Sequence, residues 1–232
     1  MKTIGIIGGM SWEGSASYYR LINQQVRAAR GPSASARIIL WSFDFSEIEA
    51  LQMAGDWAQL TALMVDAARR LEGAGADLLL IATNTMHKMA DEVQAAVGVP
   101  LLHIADPAGQ AARAAGFGTV GLLGTRFVME QAFYRAALER HGLRVIVPGE
   151  GARGEVHRII YDELVAGVVR EESRAAYRAA IADLVAQGAE AVVLGCTEIM
   201  LLVGADDSPV PLLDTTALHA GAAAALALGS GG

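Results

Sequence analysis

Cysteine is nearly absent: Cys196 is the single one among 232 residues. That excludes an internal disulfide framework and any Cys-rich zinc or iron–sulfur site. Lysine is almost as scarce. Only Lys2 and Lys88 could form a Schiff base, which disfavours pyridoxal-type chemistry. Long apolar runs are missing too. Residues 4–10 are apolar but lead into Ser11-Trp12-Glu13, not into a small-residue cleavage site. The Ala-rich stretch 220–228 is too short to span a bilayer. A free thiol without a targeting signal gives the expectation of a cytoplasmic protein with no membrane partner. Positive charge is in deficit, with a formal net charge of −7, so no nucleic-acid partner is expected.

Nucleotide signatures are lacking as well. There is no G-x-x-x-x-G-K-[ST] loop, and Gly5-Ile6-Ile7-Gly8-Gly9 only echoes G-x-G-x-x-G. No acidic residue ends a second strand at the usual distance; Asp44 comes nearly forty residues on. The five histidines, His87, His103, His141, His157 and His219, form no i, i+4 ligand pair, so no metal site is expected.

What is present is apolar. Hydrophobic residues make up 53% and charged residues 19%, which suits a sizeable core and not a disordered chain. Short runs rich in Ile, Val and Leu, at 3–8, 37–43, 77–82, 100–104, 118–123, 144–147, 190–195 and 210–213, read as strands. Amphipathic stretches such as 57–73, 127–141 and 172–187 read as helices between them. Strands apolar on both faces, alternating with helices, predict an α/β fold with parallel sheets.

The chain also repeats itself. Residues 3–8 match 119–124 at an offset of 116, residues 75–83 match 188–196 at 113, and residues 99–102 match 210–213 at 111. Three segments in the same order at nearly one offset predict an internal duplication. The expectation is two pseudosymmetric lobes, each a parallel sheet of about four strands flanked by helices. The first takes residues 1–97 and 209–232, the second 98–208. Ligands bind at the carboxyl ends of such strands, so a site in the cleft between the lobes is expected. A last helix over 215–228 is expected to return to the first lobe.

The repeat aligns Thr83 with Cys196, each just after a strand. A cysteine opening a helix has its thiol pKa lowered by N–H groups and the helix dipole; the plainer reading is an ordinary buried cysteine. Ser11, Asn84, Thr85, Thr125 and Thr197 are capping types at neighbouring strand ends. Each alone would simply cap its helix. Together, helix starts around one cleft favour an anionic ligand. For His87, two readings stand: a hydrogen-bond partner of the Thr83 turn, or a core or capping histidine. Lys88, Arg153 and Arg158 read as residues of solvated helix faces, and nothing locates a site for a distal carboxylate.

At Ala82-Thr83-Asn84-Thr85-Met86-His87 and Gly195-Cys196-Thr197-Glu198 the sequence resembles the aspartate/glutamate racemase family. The likeness extends to residues 4–12, 103–106, 123–126 and 214–216. The resemblance implies cofactor-independent 1,1-proton transfer at the α-carbon of a small anionic amino acid, in a homodimer. The family pattern has Cys before Asn-Thr in the first half; Thr83 stands there instead, as in the branch specific for L-aspartate and L-glutamate. Cys196 would then be the base toward the L-substrate and Thr83 would face the other side. Gln52 and the backbone near Met10 resemble substrate-contact positions. Asn84, Thr85, Thr125 and Thr197 would donate to the substrate. Two alternatives stay open: a one-cysteine decarboxylase or isomerase of diacids, and an anion-binding module without turnover.

Overall fold

The computed structural model describes residues 1–229. It divides into two compact units: Met1–Ile104 with the chain from His219 onward, and Ala105–Leu218. In the first unit the chain runs β1 (Thr3–Gly8), α1 (Trp12–Arg30), β2 (Arg37–Ser42), α2 (Phe45–Ala54), α3 (Trp57–Gly73), β3 (Leu78–Ile81), α4 (Ala90–Ala95) and β4 (Leu101–Leu102). The second unit holds α5 (Ala105–Ala114), β5 (Thr119–Gly124), α6 (Arg126–Glu130), α7 (Ala132–Glu139), β6 (Arg144–Ile146), α8 (Glu150–Asp162), α9 (Glu171–Ala186), β7 (Ala191–Gly195), α10 (Ile199–Leu202) and β8 (Leu212–Asp214). The final helix, α11 (Thr215–Leu228), starts in the second unit and continues in the first.

Each unit is built on one four-stranded parallel sheet, β2-β1-β3-β4 in the first and β6-β5-β7-β8 in the second. Both faces of the first sheet are covered, which is why its central strands read as unbroken apolar runs. Leu79 and Ile81 pack with Ile48 of α2 and Leu60 and Met64 of α3. Leu78, Leu80 and Ala82 turn the other way, onto Tyr18, Ile22 and Val26 of α1 and Ala220, Ala223, Ala224 and Ala227 of α11. The expected return of 215–228 to the first lobe is therefore present. Each fully buried Leu or Ile contributes about 1.5–3 kcal/mol.

The duplication reaches down to individual contacts. A Cβ on Gly5 would lie 2.7 Å from Leu79 and 3.3 Å from Cβ of Leu71 on α3. On Gly121, the matching position of β5, it would lie 2.8 Å from Leu184 on α9. In both units a glycine in the first strand lets a helix leucine approach the sheet. In the second unit that helix joins Leu123, Val192 and Leu194 with Ile159, Ile160, Tyr177, Ile181 and Leu184 in one core.

Two details depart from the sequence expectation. The unit boundaries fall at 104/105 and 218/219, not at 97/98 and 208/209. The reason is pairing: β4 bonds to β3 of the first sheet, and β8 to β7 of the second. The helix expected over 127–141 is broken at Gln131, whose backbone is extended (φ −87°, ψ 148°). The two pieces serve different surfaces, α6 packing on β5 and α8, and α7 on α5 and β6. One straight helix could not do both. Among the described residues no helix is long and apolar enough to cross a membrane.

Candidate active site

In the first unit, polar residues collect at the carboxyl ends of the strands. β1 leads into Gly9-Met10-Ser11, where the Ser11 hydroxyl caps α1 by accepting from Gly14 N at 3.1 Å. Gly9 has φ +87°, and a Cβ there would collide with the backbone of Phe43. β2 leads through Asp44, which caps α2. Gln52, buried on α2, donates from Nε2 to Sδ of Met86 at 3.3 Å. Met10 and Met86 share one apolar cluster. β3 ends at Ile81, and the N–H of Ala82 after it donates to Ile7 O at 2.8 Å. Thr83 follows, half-buried, and then Asn84 and Thr85, both buried. Met10, Gln52, Thr83, Asn84 and Thr85 thus lie at one end of one sheet.

The turn after β3 is a single 3₁₀ stretch, Thr85–Met89, and the Asn84 side chain does not cap it. His87 lies in this turn, 2% exposed. Its Nδ1 is 2.8 Å from Thr83 O, and its Nε2 accepts from Ile104 N at 3.1 Å. His103 and His219 flank it, with ring centroids 4.6 and 5.8 Å away. Burial, then the two neighbouring imidazoles, push its pKa well below the ordinary value. Of the two readings of His87, the hydrogen-bond partner is the one observed, inside the core.

The second unit carries the thiol. Gly124 and Gly195 are register partners at the ends of β5 and β7. Thr125 follows Gly124 and caps α6, accepting from Val128 N at 3.4 Å. Cys196 follows Gly195 and is buried. Its Sγ donates to Glu198 Oε2 at 3.0 Å, and the Thr197 hydroxyl donates to the same oxygen at 2.7 Å. Glu198 itself is only 6% exposed.

This geometry corrects the expected electrostatics of Cys196. The helix behind it, α10, has four residues and no side-chain cap, so it offers little dipole. Burial, the Glu198 charge and the hydrogen bond to Glu198 push the thiol pKa well up, not down. Backbone N–H groups of Glu198 and Thr197 pull the other way. Of the expected caps, Ser11 and Thr125 cap their helices through their side chains, the Asn84 side chain does not cap its turn, and the Thr197 hydroxyl turns to Glu198.

Glu198 is the residue whose part the sequence reading missed. An acidic group inside Gly-Cys-Thr-Glu-Ile-Met-Leu-Leu was its signal, since a carboxylate in an apolar stretch is rarely buried without a partner. The candidates on α8 behave as expected of a surface face. Arg153 pairs with Glu130, and Arg158 with Glu155 and Glu163. His157 accepts from Arg126 N at 3.3 Å, and burial lowers its pKa. Among the described residues no group of three or more His, Cys, Asp or Glu side chains could hold a metal ion.

A duplicated α/β chain with a buried thiol–carboxylate contact at a strand end has the parts for moving protons. A family model for Asp/Glu/hydantoin racemases matches residues 7–223. A Yersinia pestis protein assigned as an Asp/Glu racemase is 53% identical, with a TM-score of 0.92 over 98% of this chain and 100% of that one. An aspartate racemase homologue from Pyrococcus horikoshii is 34% identical, with a TM-score of 0.85 and the same coverage. Among curated proteins, the broad specificity amino-acid racemase RacX of Bacillus subtilis is 24% identical over 174 residues, 70% of each chain. The chain belongs to the Asp/Glu/hydantoin racemase family and is an isomerase of the amino-acid racemase type.

Proposed function

We propose that this racemase interconverts L- and D-glutamate, L- and D-aspartate, or both, by cofactor-independent 1,1-proton transfer. The observation that carries the reading is the contact from Cys196 Sγ to Glu198. Glu198 accepts the thiol proton. The thiolate, favoured by the N–H groups of Thr197 and Glu198, takes the α-proton of the L-substrate. Thr83 faces the other side of the planar intermediate and delivers its hydroxyl proton to the α-carbon. The sulfur then holds the former α-proton, and the proton on Glu198 returns through solvent to Thr83. Removing an α-proton beside a carboxylate builds charge on charge, so donors must converge there. Asn84, Thr85 and Thr125 are assigned that role, and Thr197 joins them once its hydroxyl turns from Glu198, with Gln52 and the backbone at Met10 contacting the rest of the substrate. The reading also takes the enzyme as a cytoplasmic homodimer, which the family likeness supports.

RacX supports a second reading in which the substrate range is wider. Proton NMR in deuterium oxide with a panel of L-amino acids separates the two. Loss of the α-proton signal confined to L-glutamate or L-aspartate is expected. Equal loss from neutral amino acids establishes the wider range, and no loss from any acidic amino acid overturns the proposal.

A further inference from the structure

The geometry points to His87 as a positioning residue for Thr83, holding the Thr83 backbone through one fixed imidazole tautomer. This rests on the reading of Thr83 as the group on the second face of the intermediate. The Ile104 N–H has a proton and no lone pair, so Nε2, 3.1 Å away, must accept from it. The ring proton is therefore on Nδ1, which donates to Thr83 O at 2.8 Å. His87 clamps the turn after β3 to the chain leaving β4, and the hydroxyl-bearing residue is the one it grips.

The surroundings keep the ring in that state. Both neighbouring imidazoles belong to the same unit. His219 has its own tautomer set: Nε2 faces the Leu102 carbonyl at 2.8 Å and so donates, leaving Nδ1 to accept from the Tyr18 hydroxyl at 2.8 Å. His103 packs edge-on against His87. A proton added at Nε2 of His87 would oppose the Ile104 N–H, donor against donor, and burial outweighs the pull of the Thr83 and Leu102 carbonyls toward a charged ring. The clamp works only with a neutral ring, and burial supplies that condition.

Two measurements test the assignment. Nitrogen-15 NMR of the unaltered protein reads the tautomer without any substrate; a His87 ring protonated at Nδ1 alone is expected, and one protonated at Nε2 overturns the proposal. The second compares His87→Gln, which keeps a donor and an acceptor, with His87→Leu, which fills the space with neither. In deuterium oxide, His87→Leu should keep the Cys196-dependent exchange of the L-substrate α-proton within about threefold while racemisation falls at least tenfold. His87→Gln should recover much of that loss. Parallel loss of exchange and racemisation in His87→Leu, or racemisation equal to that of the unaltered protein, overturns the assignment. No exchange by the unaltered protein with any acidic amino acid overturns the racemase reading itself and this assignment with it, whereas failure in the variants alone leaves that reading standing.

Discussion

Cys196 occupies a setting that resists the negative charge the proposed chemistry requires. Burial comes first, and the carboxylate of Glu198 adds to it. A thiolate beside a carboxylate is unfavourable, so the thiol holds its proton in the resting protein. Replacing Glu198 by Gln removes the charge but keeps an oxygen that can accept the S–H. The thiol pKa must then fall, because the negative charge that raised it is gone. Alkylation of the substrate-free protein by iodoacetamide should therefore reach half its limiting rate at lower pH in Glu198→Gln. Racemisation should nonetheless fall by about 10²–10⁴, the usual range for a lost acid–base group. An unmoved alkylation profile would show that the carboxylate does not act on the thiol. The repeat made the correspondence of Thr83 and Cys196 legible, and each does follow a matching strand of its own sheet, β3 and β7. The partner of Cys196 was not legible, because spacing does not tell whether a Glu two residues on caps a turn or folds back onto the sulfur. His87 was half legible for the same reason: its turn was visible, its ring partners from the chain after β4 and from α11 were not.

Among the elements, the strands were read most fully. All eight expected strands are present, because runs apolar on both faces have few other homes in a chain of this length. The break at Gln131 was hidden, since neither Gly nor Pro marks it and only the two packing surfaces demand it. The sheet membership of β4 and β8 was carried by the repeat, which matches residues 99–102 with 210–213, but not by the boundaries expected at 97/98 and 208/209. The close fit of β5 and β7 below Cys196 has a measurable consequence. A Cβ on Gly124 would lie 2.8 Å from the carbonyl oxygen of Gly195 and 3.0 Å from Val128 Cγ1. The carbonyl cannot swing aside without disturbing the strand. Gly124→Ala should lose about 1–3 kcal/mol in urea denaturation, the range for overpacking. At Gly118 the nearest atom to an added Cβ is the end of Glu190, 3.6 Å away. Gly118→Ala should stay within about 0.5 kcal/mol of the unaltered protein, as surface changes do. Equal losses at the two positions would mean that replacing a glycine itself, and not the contact with Gly195, sets the cost.

Over the whole molecule, a symmetric fold carries asymmetric chemistry. The sheet orders match strand for strand, and the repeat continues into Gly5 against Leu71 and Gly121 against Leu184. At the strand ends it stops: Thr83 stands where the second unit has Cys196, and Thr85 where it has Glu198. Even raised by burial and Glu198, a thiol gives up its proton far more readily than a threonine hydroxyl, which is no free base at neutral pH. In the proposed reaction, abstraction from the L-substrate by Cys196 therefore has no equal at Thr83. Thr83→Cys should restore part of the symmetry and raise α-proton exchange of the D-enantiomer at least tenfold. The gain should stay below the rate on the L side, because Thr85 offers no carboxylate to take the new thiol's proton. Steady-state racemisation cannot test this. Enantiomers have an equilibrium constant of one, so the two directions share one kcat/KM in any variant. The measurement is the initial exchange of each enantiomer alone in deuterium oxide, before product accumulates. Unchanged exchange of the D-form in a folded Thr83→Cys protein would remove Thr83 from the second face and leave the proton there to another group.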